Sequence, residues 1–95
     1  MYILSDSADK DIVEIATYTK ETWGNVQCSL YLDNLKSAFA KLVNNPKIGI
    51  KTNDVRIGYY KYFVGRHIIL YRVSVNYDIE IIRVLHQSMD VESQI

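Results

Sequence analysis

The hydrophobic period of this chain changes once, at Asn44-Asn45-Pro46, and that break commits its two halves to different secondary structure. Before it, Ala8, Ile12, Ile15, Ala16, Thr19 and Trp23 recur at steps of three and four, with Lys10, Asp11, Glu14, Lys20 and Glu21 in the outer positions. This is the pattern of an amphipathic helix. Ser5, Asp6 and Ser7 precede it as N-cap candidates, because their side-chain oxygens accept from unpaired helix N–H groups. Gly24 stops the helix and Asn25 can cap the next, whose stripe runs Cys28, Tyr31, Leu32, Leu35, Ala38, Phe39, Leu42 and Val43. A link this short folds the two helices back as an antiparallel hairpin. Pro46 closes the half, since proline disfavours helical geometry in the residue before it.

After Pro46 the residues are of β type. A loop is expected over 47–54, and strands over 59–64, 66–75 and 78–85, with turns at Gly65 and Asn76-Tyr77. Residues 2–4 make a short opening strand. The expected fold is α+β in the order β-α-α-β-β-β, a helical hairpin packed on an antiparallel sheet. The 95 residues make one domain spanning 1–95, and with 48% hydrophobic residues they can build a core. If Val75 pairs with Asp78 across a two-residue turn, His67 lies opposite His86, Tyr71 opposite Ile82 and Val73 opposite Glu80, all on one face. The other face then carries Ile68, Leu70, Ile79, Ile81 and Leu85 together with Arg72 and Arg83.

Charge narrows the function. Tight nucleic-acid binding needs a surplus of Lys and Arg to displace counterions, and here the formal net charge is zero. The single cysteine, Cys28, excludes an internal disulfide or a Cys-rich zinc site and reads as a small side chain inside a helix. No apolar run approaches the length of a membrane span and no signal peptide is evident, so a soluble, cytoplasmic protein is expected. Neither a phosphate-cradling glycine loop nor a helical His pair for zinc is present, and no cofactor or metal is expected. His67 and His86 are the best candidates for proton transfer, but the favoured reading is a half-buried histidine bonded to backbone or to a Tyr hydroxyl, since no cluster of the cations that a transferring phosphoryl requires is evident. Arg56, Lys61, Arg66, Arg72 and Arg83 are interleaved with Tyr59, Tyr60, Tyr62, Tyr71 and Tyr77. Tyr and Arg are enriched at protein–protein hot spots, so with zero net charge a protein partner ranks ahead of core packing and of nucleic acid. The tail, 87–95, either packs along the sheet edge or is offered to a partner.

In order and spacing the chain resembles ParE-type toxins of the RelE/ParE superfamily. The resemblance rests on Ala8-Asp9-Lys10-Asp11-Ile12, Ile15, Tyr18, Trp23-Gly24, Gln27, Tyr31, Leu35, Asn45-Pro46 and Gly49 in the first half. In the second it rests on Val55-Arg56-Ile57-Gly58-Tyr59, Phe63, Gly65-Arg66-His67-Ile68-Ile69-Leu70-Tyr71-Arg72 and Ile82-Arg83-Val84-Leu85-His86-Gln87-Ser88-Met89-Asp90. It implies a type II toxin that binds DNA gyrase without covalent chemistry and is neutralised by a ParD-type antitoxin, with no membrane partner and no sequence-specific nucleic-acid binding. The expected gyrase-facing residues are Arg83, His86, Met89 and Asp90, assisted by Arg66, His67 and Tyr60. The antitoxin is expected in the groove between hairpin and sheet. The family commonly carries Arg where this chain has Tyr60, which raises a degenerate, non-toxic antitoxin-binding module as one alternative. A ribosome-dependent mRNA endonuclease is the other, but Ile68 and Gln87 stand where one such subgroup has Arg and Tyr.

Overall fold

The computed structural model describes residues 1–52, 56–89, 91 and 94. Its elements are β1 (Tyr2–Leu4), α1 (Asp6–Trp23), α2 (Asn25–Asn44), β2 (Ile50–Lys51), β3 (Tyr59–Val64), β4 (His67–Val73) and β5 (Ile79–His86). One five-stranded sheet runs in the order β1-β5-β4-β3-β2. The β3–β4–β5 meander is antiparallel, as expected. Two features correct the sequence reading. β1 joins β5 in parallel, so the sheet is mixed; the chain reaches β5 from β1 through the helical hairpin and then β2, β3 and β4, which bring it back in the same direction. The stretch read as a loop also contains β2, which pairs with Lys61 and Tyr60 of β3.

Both helices end where the sequence places the signals. Ser5 caps α1 by accepting from Ala8 N–H at 3.0 Å. Gly24 rather than Asn25 occupies the junction, closing α1 through Lys20 C=O and opening α2. The helices pack on one face of the sheet, where Ala8, Ile15, Leu35, Ala38, Phe39 and Leu42 meet Tyr60, Ile69, Tyr71, Ile79, Ile81 and Val84. Cys28 is half-buried and its thiol points at Ala16 C=O, 3.4 Å away on α1. Trp23, expected in the apolar stripe, is instead 66% exposed at the end of α1.

The last hairpin matches the expected register at one end only. His67 pairs with His86 and Leu70 with Arg83, but Tyr71 pairs with Ile81 and Val73 with Ile79, across an irregularity between Leu70 and Tyr71. Val75, Asn76 and Tyr77 form the loop, with Ser74 N–H donating to Asp78 C=O and Tyr77 at φ 63°. That loop is one residue longer than the turn assumed from sequence, and a bulge at Ile82 restores the register. The slip turns Ile79 and Ile81 onto the helix-covered face beside Tyr71, which corrects their assignment to the face of Ile68, Leu70 and Leu85.

Besides its pairing with β3, the approach to β2 is anchored by one side chain. The Tyr71 hydroxyl donates to Pro46 C=O at 2.8 Å and accepts from Gly49 N–H at 3.0 Å, tying the segment after Pro46 to the core. A Cβ at Gly49 would stand 2.5 Å from that hydroxyl oxygen and 2.8 Å from Lys61 C=O, so only glycine fits. Gly49→Ala is expected to destabilise the fold by about 1–3 kcal/mol in urea denaturation, the range for overpacking a tight site.

Candidate functional site

Past Leu4, β5 loses β1 as a neighbour, and α1 supplies the next partner. Asp11, the residue placed on the solvent side from sequence, is only 8% exposed. Its Oδ2 accepts from Val84 N–H at 2.9 Å and from Arg83 Nε at 2.8 Å, and its Oδ1 accepts from Arg83 Nη2 at 2.9 Å. Arg83 Nη1 donates to Gln94 C=O at 2.8 Å. Hydrogen bonding to Asp11 holds the guanidinium even more firmly protonated than usual, against the opposing effect of burial. Ser5 reinforces the same joint, donating from N–H to Ile81 C=O and from Oγ to Ile82 C=O. The bulge in β5 is therefore pinned by side chains from the start of α1.

Beyond this clamp a groove of about 1000 Å³ opens between the helices and the ends of β4 and β5. α1 contributes Asp11, Glu14, Ile15, Tyr18, Thr19 and Trp23, and α2 contributes Gln27 and Tyr31. The sheet side contributes Gly65, Arg66 and His67, then Arg83 to His86, with Met89 and Gln94. Tyr18 and Trp23 are each 66% exposed and Met89 47%, so apolar surface lies open along its rim.

One end of the groove is organised by Tyr31. Its hydroxyl accepts from Arg66 N–H at 3.1 Å, lies 2.5 Å from His67 Nδ1 and lies 3.4 Å from Val64 C=O. One proton lies in the hydroxyl–Nδ1 contact: Tyr31 donates when the ring carries its proton on Nε2, and with the proton on Nδ1 the ring donates and the hydroxyl turns to Val64 C=O. Gly65 permits the approach: it sits at φ +54°, and a Cβ there would meet the Tyr31 ring at 2.8 Å. His86 stands edge-on to His67, with ring centroids 5.5 Å apart. His86 Nδ1 accepts from Ser88 N–H at 3.2 Å and lies 2.7 Å from Ser88 Oγ.

Burial lowers the pKa of His67 below its ordinary value near 6.5, the neighbouring His86 lowers it further, and Asp11 opposes both. A ring kept neutral in the folded state contributes its full stability above its unfolded pKa, and that contribution is lost as pH falls below it. The urea midpoint should therefore fall from pH 7.5 to 5.5, and fall less in His67→Gln.

The sequence candidates divide accordingly. Arg66, His67, Arg83, His86 and Met89 all line this groove. Asp90 lies outside the described residues. Tyr60 is a correction: it is 9% exposed and stacks on Tyr71 with centroids 5.4 Å apart, as a core residue rather than a surface contact. The groove residues that the sequence reading did not point to are Asp11, Glu14, Ile15, Tyr18, Thr19, Trp23, Gln27 and Tyr31, the whole helical wall. Asp11 had a signal, since with Ala8, Ile15 and Thr19 it keeps the three–four spacing of the buried face, and a charge there requires a partner.

The family described as "ParE toxin of type II toxin-antitoxin system, parDE" matches residues 2–91. A Mycobacterium tuberculosis (strain CDC 1551 / Oshkosh) protein named Toxin ParE1 is 40% identical over 91 residues, covering 96% of this chain and 93% of its own. A Caulobacter vibrioides protein of the same name is 36% identical over 94 residues, covering 99% and 96%. Among solved structures, a chain of the chromosomal ParDE system from P. aeruginosa superposes with a TM-score of 0.76 at 14% identity, over 90% of this chain and 92% of that one. A chain of the RelBE2 toxin–antitoxin complex from Mycobacterium tuberculosis does so with a TM-score of 0.65 at 18% identity, over 90% and 95%. The chain belongs to the ParE toxin family of type II toxin–antitoxin systems.

Proposed function

We propose that this toxin acts by binding DNA gyrase rather than by breaking a covalent bond, and that a ParD-type antitoxin neutralises it by filling the groove. The observation that carries this reading is the state of Arg83, whose Nε, Nη1 and Nη2 are all taken up by Asp11 and Gln94. Cleaving RNA would require several cationic groups converging on the phosphate beside the two imidazoles, to hold the charge of the transition state. With Arg83 neutralised, Arg66 is, among the described residues, the remaining guanidinium lining the groove. An open groove with exposed aromatic and thioether side chains is instead the surface of a protein-binding module, where Trp, Tyr and Met act as anchors.

The test is a supercoiling reaction with purified gyrase. Inhibition with accumulation of cleaved DNA at near-stoichiometric toxin is expected. No effect on gyrase, with antitoxin binding intact, would identify a module that has kept its antitoxin but lost its target.

A further inference from the structure

We propose that the end of the groove formed by Arg66, His67 and His86 receives a carboxylate of the antitoxin. This rests on the reading that the groove is the antitoxin's site, and it names the polar anchor of that contact.

The argument begins with charge. Arg66 is exposed on the β3–β4 turn, its backbone held by Tyr31, and among the described residues no carboxylate pairs with it. This contrasts with Arg83, which Asp11 neutralises. Both imidazoles engage neighbours through Nδ1, which leaves each Nε2 as the position for a further partner. An unpaired guanidinium beside two imidazoles whose Nε2 atoms can donate makes a site for a planar anion.

The rest of the groove decides what carries that anion. Its lining includes the apolar Ile15 and Val84, its rim Tyr18, Trp23 and Met89, and its α1 wall carries Glu14. A polynucleotide would lay repeated phosphates along that carboxylate and over apolar surface. A polypeptide with apolar side chains and one acidic group matches both parts of the groove.

Docking should then be linked to protons. The groups facing His67 are Tyr31 from α2, His86 from β5, Asp11 from α1 and its chain neighbour Arg66; Asp11 is tied to Arg83, and Glu14 lines the same groove. A carboxylate brought against the ring raises its pKa from the lowered value of the free protein. Tyr31 accommodates the change: a protonated Nδ1 donates to the hydroxyl oxygen, and the hydroxyl proton turns to Val64 C=O. Binding therefore takes up protons and tightens as pH falls through the region below 7.

The experiment is calorimetry of the purified toxin with the antitoxin expressed from the same operon, at pH 8, 7 and 6, in buffers of different ionisation heat. Net proton uptake, tighter binding at pH 6, and about a tenfold weaker complex for Arg66→Glu are expected. Trp23→Ala separates this inference from the reading beneath it. If Trp23→Ala weakens binding but Arg66→Glu and pH do not, the carboxylate anchor is wrong and the groove reading stands. If neither variant changes the affinity, the antitoxin docks elsewhere and both fail. An RNA oligonucleotide whose binding requires Arg66, with antitoxin affinity unchanged by Arg66→Glu, would make the anion a phosphate and overturn the proposal.

Discussion

Asp11→Ala should lower the free energy of unfolding by about 3–5 kcal/mol, the range for removing one partner of a buried ion pair. The change strands the Arg83 guanidinium and leaves Val84 N–H without an acceptor. It also frees α1 from β5 at the point where β1 no longer covers the strand edge. A domain of this length has a total stability of about 5–14 kcal/mol, so the loss is a large share of it. Asp11→Asn should cost less, since its amide oxygen still accepts from Val84. Urea denaturation of the purified variants measures both, and a loss below about 1 kcal/mol for Asp11→Ala would show that the clamp does not hold the fold together.

Tyr71→Ala is expected to cost a similar amount, about 3–5 kcal/mol, because it removes a large side chain that is fully buried between the sheet and the hairpin. Burial pushes the Tyr71 phenol above its ordinary pKa, more than the Gly49 N–H lowers it, so it remains a donor to Pro46 C=O. Tyr71→Phe isolates that polar role and should cost about 1–3 kcal/mol, the penalty for orphaning buried backbone groups. It should also loosen β2, since the hydroxyl is what ties Gly49 to the core. Faster amide exchange at Gly49 and in β2, with β4 still protected, is the expected signature.

The two residues illustrate what was legible in the sequence. Helix limits follow from local chemistry, so Ser5, Gly24 and Pro46 announced them. The β3 range and the His67–His86 pairing also followed from residue type and spacing. The loop from Val75 to Tyr77 was not announced, because no Gly or Asn-Gly pair marks Tyr77 as the residue that adopts positive φ. One misjudged residue there exchanged the faces of Ile79 and Ile81. β2 escaped notice because it is only two residues long and is defined by its pairing with β3 and the anchoring of Gly49 by Tyr71, both distant in sequence. At the site, the sheet-borne residues Arg66, His67, Arg83, His86 and Met89 were visible as chemistry, whereas the helical wall was read as core or solvent face.

Tyr60 shows the reverse error. An Arg-to-Tyr departure at that position suggested an altered target surface, but the side chain stacks in the core against Tyr71. Among the described residues, no helix is long and apolar enough to cross a membrane.

The claim that this toxin grips a protein rather than cuts RNA is tested most directly by titrating purified gyrase with wild type and His86→Ala, alongside ribosomes translating a reporter message. His86 is partly exposed and makes only local hydrogen bonds to Ser88, so the variant should remain folded. The expected result is that both proteins arrest supercoiling, His86→Ala at a somewhat higher dose, while the message stays intact. Codon-dependent cuts made by wild type and abolished in His86→Ala, with gyrase unaffected by either, would contradict the account.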